Sequence, residues 1–311
     1  MKAATITANG GPDVFNYTDF ADPVAGPGQV VVDIKYATVN GADWKVRAGK
    51  IDPITAFPYI LGRDFSGHVS AVGDGVSDLA IGDAVFGVCD VGQEGAYAEK
   101  IAMKADLVCK KPNWISHKHA ASLALTGLTA LVTVEDTLKL QPGERIMIEG
   151  GAGGVASFAI QVAKHIGAHV TTTCSTKNVD YVKAFGADHV IDYTAQDPMQ
   201  TIVESMGHFD CLFDTVGGAV SMRSYAMLKP GGRAAFIASG PTAPDSPRDD
   251  VQGLRPKVGR SRAHLQRILD LVEAKAIQMP EITFYDLKDA ADAHRVSESR
   301  HLRGKLVFRV G

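Results

Sequence analysis

The stretch from Gly143 to Tyr193 constrains this chain more than any other. A short apolar run, Arg145-Ile146-Met147-Ile148, stands between Pro142-Gly143 and a cluster of glycines, the pattern of a fully buried strand bounded by turns. Gly151-Ala152-Gly153-Gly154-Val155-Ala156 follows and fits G-x-G-x-x-G/A, with Ala156 in the last place. Val155, Phe158, Ala159, Val162, Ala163 and Ile166 then recur at helical spacing until Gly167, and His169 to Cys174 reads as a second buried strand. The glycines therefore sit between a strand and a helix inside one βαβ unit. Glycine lets the backbone turn tightly and approach a pyrophosphate, and the unpaired N–H groups of a helix N-terminus favour the anion. The pattern predicts a dinucleotide site.

The end of the second strand predicts which dinucleotide. A unit selective for NAD places Asp or Glu about 20 residues past the glycines, on the ribose 2′-hydroxyl. Here the region reads Cys174-Ser175-Thr176-Lys177-Asn178, with no carboxylate before Asp180. A carboxylate 4 Å from a 2′-phosphate would repel it by about 4 kcal/mol per charge pair at an effective dielectric of 20. Lys177 attracts a phosphate instead, and Ser175 and Thr176 can donate hydrogen bonds. NADPH is the expected cofactor.

At 311 residues the chain can hold one large domain or two ordinary ones, and 45% hydrophobic residues suffice for a large core. A net charge of −3 without a basic stripe gives no reason to expect nucleic acid as a partner. Met1 to Ile6 carries one charge and no long apolar core, so no signal peptide is read there, and no run approaches transmembrane length. Cys89, Cys109, Cys174 and Cys211 lie far apart without a C-x-x-C, as expected of reduced thiols in a cytoplasm.

Residues 1 to about 117 read as β-rich, with strands at 30–36, 68–72, 83–87 and 96–103 separated by glycine turns, which suggests a rolled antiparallel sheet. From Ser116 the character changes. A helical region over 120–138 is followed by alternating strands (145–149, 169–174, 189–191, 211–213, 234–237) and helices (155–166, 177–185, 197–206, 219–228). Such alternation predicts a doubly wound parallel sheet. Beyond a proline-rich loop at 240–250, a strand is predicted at Leu254 to Val258, an amphipathic helix at Ser261 to Ala274 and a terminal strand at 305–310.

Taken together, these residues resemble the zinc-free quinone oxidoreductase branch of the medium-chain dehydrogenase/reductase superfamily. The resemblance runs nearly end to end. It includes Val39 to Gly49, Leu61-Gly62-Arg63-Asp64-Phe65-Ser66-Gly67, Leu125 to Ala130, the glycine turn and Phe185 to Tyr193. The segment His169 to Tyr193 is especially similar to the subgroup that reduces α,β-unsaturated carbonyls. The resemblance implies an α/β architecture of two parts. A GroES-like β-rich catalytic domain would comprise 1–117 and a return segment 256–311, and a Rossmann domain would fill 118–255, with the active site in the cleft between them.

Zinc alcohol dehydrogenases of the superfamily carry Cys where this chain has Asn40 and a His-Glu pair where it has Arg63-Asp64. An amide and a guanidinium cannot replace thiolate and imidazole as ligands, and the cysteines of a structural zinc lobe are absent. His117, His119 and Asp64 remain, but isolated histidines near a helix start are more often capping or surface groups. No metal is expected. Without a Lewis acid, alcohol oxidation loses the support for its alkoxide, whereas a polarised alkene or quinone delocalises the incoming charge itself.

Carried over residue by residue, the resemblance places Asn40, Lys45 and Thr126 near the nicotinamide, and Gly153, Gly154 and Val155 at the pyrophosphate. Ser175, Lys177 and Tyr193 would surround the 2′-phosphate. Thr215, Ile237, Ala238 and Ser239 would line the strand ends under the nicotinamide, and Arg300 would reach in from the tail. An aromatic often occupies the position of Lys45 in related quinone reductases. Asn40 serves equally well as the cap of a short helix around Asp43–Arg47; Asp43, Tyr59 and Arg63 read as structural first. No residue type or spacing identifies a proton donor. The expected activity is NADPH-dependent reduction of a quinone or enone. A zinc-free alcohol or aldehyde reductase and a non-catalytic NADPH-binding protein of the lens-crystallin kind are the alternatives. Relatives are commonly homodimers or tetramers joined through the Rossmann sheet edge, so a homodimer is expected.

Overall fold

The structure, a computed structural model, describes residues 1–90, 92–195 and 207–310. The chain divides into two compact units: Met1–Thr126 with Arg260–Leu269 and Glu281–Gly311, and Gly127–Gly259 with Asp270–Pro280.

In the first unit, β1 (Lys2–Ile6) pairs antiparallel with β2 (Phe15–Asp19) and β4 (Tyr59–Ile60). The larger, seven-stranded sheet is built on β3 (Gln29–Val39), which pairs antiparallel with β5 (Asp64–Val72), β7 (Lys100–Lys104) and the terminal β16 (Lys305–Arg309). β6 (Ala84–Val88) and β8 (Val108–Lys110) extend it beyond β5. The antiparallel sheet expected from the closely spaced strands is there, with one exception: β15 (Ile282–Asp286), not foreseen in the sequence, runs parallel to β16. Alternate residues of β3 and β5 turn inward, and Val30, Val32, Ile34, Phe65, Val85, Tyr97 and Phe308 form one core. Each such side chain contributes roughly 1.5–3 kcal/mol of transfer free energy. Helix α1 (Gly41–Arg47) follows β3, and α2 (His117–Leu131) lies across the division between the units.

In the second unit, β9 (Arg145–Glu149), β10 (His169–Cys174), β11 (His189–Asp192), β12 (Phe209–Asp214), β13 (Leu228–Phe236) and β14 (Gln252–Leu254) form a wholly parallel sheet in the order β11-β10-β9-β12-β13-β14. Numbered from β9 this is 3-2-1-4-5-6, the doubly wound order that reverses direction at β9. Ile146, Met147 and Ile148 are wholly buried, as an apolar run between turns requires. Helix α3 (Gly154–Ile166) follows the glycines, then α4 (Val179–Ala184) and α5 (Ala219–Ser224). The helix predicted at 197–206 lies outside the described residues. The last strand covers Gln252–Leu254 rather than Leu254 to Val258, because Pro256 cannot donate to a ladder. Helix α6 (Arg262–Glu273) matches the amphipathic segment, and α7 (Ala290–Glu298) was not anticipated.

Candidate active site

The glycine turn leaves the end of β9 at the point where the sheet order reverses. A Cβ on Gly151 would strike Thr172 Oγ1, which already donates to the carbonyl of Ile148 at 2.6 Å. This glycine is demanded by strand packing. Gly153 is different: a Cβ there would meet nothing closer than the Gly150 carbonyl at 3.4 Å, so the fold leaves a cradle open above it. Gly153 is also the N-cap of α3 and offers no side-chain cap. The first N–H groups of the helix, from Gly154 and Val155 on, are thus available to an anion.

A buried chain of side chains holds the turn from below. The Gly150 N–H donates to Thr173 Oγ1 at 3.0 Å, and that hydroxyl donates to Glu149 Oε2 at 2.6 Å. Thr215 Oγ1 donates to the Glu149 carbonyl at 2.6 Å. Burial pushes the Glu149 carboxyl above its ordinary range, offset in part by the Thr173 hydrogen bond and by Arg223. Thr215 therefore lies at the end of β12 as expected, but its hydroxyl serves the strand beside it.

At the end of β10, Ser175 accepts from Asn178 Nδ2 at 3.2 Å while Lys177 is exposed. Tyr193 is 45% exposed, and its N–H donates to the Cys174 carbonyl at 3.1 Å. The three predicted phosphate-binding residues thus come from adjoining strand ends. Sequence order concealed one neighbour. Parallel pairing sets Asp192 opposite Cys174, so a carboxylate does stand near this loop. It accepts from the Thr194 N–H at 2.9 Å and hydroxyl at 2.6 Å, and hydroxyls of Thr176 and Thr194 hold its pKa below the usual value. Ile237, Ala238 and Ser239 follow β13, with the Ile237 N–H bound to the Asp214 carbonyl at 3.2 Å.

In the first unit, Asn40 occupies the N-cap of α1, but its side chain does other work. Its Nδ2 donates to Asp64 Oδ1 at 2.9 Å, and its Oδ1 accepts from Lys305 Nζ at 2.9 Å. Thr38 Oγ1 adds a 2.7 Å bond to the same Asp64 oxygen, and the Leu125 N–H reaches Asp64 Oδ2 at 3.3 Å. Thr126, next in sequence, spends its hydroxyl on the Ser122 carbonyl at 2.7 Å. Capping is left to Asp43, whose Oδ2 accepts from the Asn40 N–H at 2.9 Å and from Tyr97 at 2.7 Å. Lys45 and Arg300 place their charges 5.9 and 5.8 Å from the centroid of the Trp44 ring.

Arg63 joins two of the buried acids. It bonds Glu94 Oε1 at 2.8 Å and stands 3.7 Å from Asp43 Oδ1. Burial raises both carboxyls, Asp43 to about 6 and Glu94 to about 7, against the attraction of that guanidinium. Lys305, Tyr97 and Glu94 escaped the sequence reading; a lysine opening an alternating terminal strand was the available signal for the first.

The residues do not suit zinc. Asn40 and Thr38 answer Asp64 with donors, Arg63 is cationic, and among the described residues no three His, Cys, Asp or Glu side chains converge. His117 Nδ1 instead pairs with Ser66 Oγ at 2.8 Å. A dinucleotide does fit the second unit, at the open Gly153 cradle and the uncapped start of α3.

The zinc-binding dehydrogenase family model matches residues 154–260, and the alcohol dehydrogenase GroES-like domain model matches residues 26–113. The chain is 35% identical over 257 residues to the mitochondrial NAD(P)H oxidoreductase RTN4IP1 of Danio rerio, covering 76% of this chain and 66% of that protein; it thus spans about two thirds of that relative's length. It is 29% identical over 331 residues to 2-haloacrylate reductase of a Burkholderia species, covering 99% of this chain and 98% of the other. The solved quinone oxidoreductase of Coxiella burnetii matches with a TM-score of 0.92 at 30% identity, over 100% of this chain and 99% of that one. The quinone oxidoreductase of Escherichia coli complexed with NADPH matches with a TM-score of 0.91 at 26% identity, over 99% and 100%.

Proposed function

Since the chain belongs to the quinone oxidoreductase branch of the medium-chain dehydrogenase/reductase superfamily, we propose that it is an NADPH-dependent reductase of quinones or α,β-unsaturated carbonyl compounds that works without a metal. The observation that carries this reading is the uncapped N-terminus of α3 above Gly153, at the strand end where the sheet order reverses. Gly153, Gly154 and Val155 hold the pyrophosphate there. Ser175, Lys177 and Tyr193 receive the 2′-phosphate, with Lys177 supplying positive charge against the Asp192 carboxylate, which Thr194 holds at the neighbouring strand end. Thr215, Ile237, Ala238 and Ser239 form the floor for the nicotinamide. NADPH, when bound, supplies the hydride for the electrophilic carbon, and the proton comes from water.

Asn40, Lys45, Thr126 and Arg300 are the residues of the first unit assigned to the nicotinamide end. Asn40 is held in one orientation because Lys305 and Asp64 use opposite ends of its amide. Thr38, Asn40 and the Leu125 N–H donate to Asp64, with the Lys305 charge nearby, as a buried carboxylate requires. This leaves a preorganised polar wall with no call for a Lewis acid. The four cysteines are all buried and none is in a disulfide, which suits a reducing cytoplasm, and no helix among the described residues is long and apolar enough to cross a membrane. A homodimer through an edge of the parallel sheet is the assembly proposed, to be checked by mass in solution.

Steady-state NADPH oxidation against a quinone, an enone and a saturated aldehyde tests the activity. Turnover of the quinone or enone is expected; activity confined to the aldehyde, or stoichiometric zinc by elemental analysis, would overturn it. Retained NADPH binding without turnover of any acceptor would point to the non-catalytic alternative.

A further inference from the structure

The strand order gives a bound dinucleotide a direction across the sheet. Ligands of doubly wound sheets lie outside the carboxyl ends of the strands. On the reading above, the adenosine phosphate faces the end of β10, the pyrophosphate the end of β9, and the nicotinamide the ends of β12 and β13. β14 lies one strand further on. Arg255 follows it directly, and Arg255 Nη1 donates to the carbonyl of Phe236, the last residue of β13, at 2.7 Å. With strands about 4.8 Å apart, β14 is roughly 19 Å from β10 and roughly 14 Å from β9 in the plane of the sheet. Neither phosphate of the cofactor is a natural partner for this cation.

Nor does the protein supply one. Two other arginines of the second unit meet carboxylates: Arg233 reaches Glu144 at 2.7 Å and Arg248 reaches Asp250 at 2.6 Å. Half-buried Arg255 has the Phe236 carbonyl as its hydrogen-bond partner and no ion pair among the described residues. Burial lowers its pKa, with no neighbouring anion acting in the other direction. A guanidinium drawn from water without a counter-charge is unfavourable. Most of its five N–H donors remain for a planar, bidentate acceptor.

We propose that Arg255 recognises the carboxylate of the substrate, so that the acceptors are α,β-unsaturated acids in preference to neutral enones or quinones. This rests on the cofactor placement proposed above. Arg255 acts on specificity: it binds the end of the substrate remote from the hydride-accepting carbon.

The test is isothermal titration of 2-butenoate and of its methyl ester into the NADP⁺-loaded protein, where no turnover can occur, repeated without cofactor. The acid should bind at least about 10-fold more tightly than the ester. Arg255→Gln should weaken the acid by about 10- to 100-fold, with a much smaller change for the ester. Arg255→Lys should recover part of the loss, and melting temperatures of both variants report whether the Phe236 contact matters for folding. Equal binding of acid and ester, or an Arg255→Gln variant that loses both in proportion or neither, overturns the proposal. Failure of NADP⁺ to bind, or of NADPH to be oxidised by any acceptor, would count against the reductase reading instead, and the cofactor-free titration still reports on Arg255.

Discussion

The ammonium of Lys305 and the amide oxygen of Asn40 meet at 2.9 Å, with only 2% and 7% of the two residues exposed. The last strand of the chain thereby reaches the residue at the N-cap position of α1. Burial lowers the Lys305 pKa, while Asp64 and Asp43 act to keep it charged. The ammonium is held by Asn40 Oδ1 and the Val39 carbonyl and lies within electrostatic reach of Asp64, which Asn40 also bonds.

Lys305→Met should therefore destabilise the protein by on the order of 3 kcal/mol, because it removes the charge while leaving the acid in place. Denaturant unfolding measures this. The double variant Lys305→Met/Asp64→Asn should recover part of the loss; a single variant as stable as the parent would refute the pairing.

Two glycines of the same turn should respond differently to alanine. Gly151→Ala drives a methyl into Thr172 Oγ1 and should lower stability and cofactor affinity together, with partial rescue by Thr172→Ala. Gly153→Ala has room in the protein itself, so its stability should change by less than about 1 kcal/mol. Its NADPH affinity should nevertheless fall at least about 10-fold, because the methyl occupies the approach to the pyrophosphate. Thermal unfolding and NADPH fluorescence titration separate the two cases.

Lys177→Ala should raise the KM for NADPH by about 5-fold and leave that for NADH nearly unchanged, since one exposed charge acting on a phosphate contributes about 1 kcal/mol. The ratio should shrink as salt is added. A parallel loss with both cofactors would remove Lys177 from phosphate recognition.

The Asp43–Arg63–Glu94 cluster carries a pH signature. Burial lifts Glu94 from 4.5 to about 7 and Asp43 from 3.8 to about 6. The folded state then holds more protons than the unfolded state between those values, so stability falls as pH rises through the window. Its contribution is fully present below about pH 4 and lost by about pH 7. Glu94→Gln, which keeps an acceptor for Arg63, should flatten the stability curve between pH 5 and about pH 7 by on the order of 2 kcal/mol. An unchanged difference between variant and parent across that range would rule out proton uptake at Glu94.

Much of the second unit was legible because its determinants are local. Buried strands at 145–149 and 169–174 follow from apolar runs between turn residues, and the helix between them from spacing of 3.6. The glycine turn was readable for the same reason: Gly151 is required by its contact with Thr172 within one βαβ unit, and Gly153 leaves the start of the following helix open. The misplacement of β14 shows the limit. Three residues at a sheet edge leave a signal too short for periodicity, and Pro256 was the cue that marked its end.

Local pattern could not reveal pairings across long separations. Asp192 stands beside the Ser175 loop only because β11 pairs with β10 in that register. Lys305 meets Asn40 across 265 positions, and Arg47 contacts His294 at 3.1 Å across 247. The amino-acid order alone determined the βαβ unit, the glycine cradle and the family, since each is encoded in neighbouring residues whose backbone and burial preferences act at short range. Tertiary structure decided which charges are paired and which are left open, from Lys305 beneath Asp64 to Arg255 without a carboxylate. Electrostatic compensation of a buried group depends on distance through space, which sequence separation does not record.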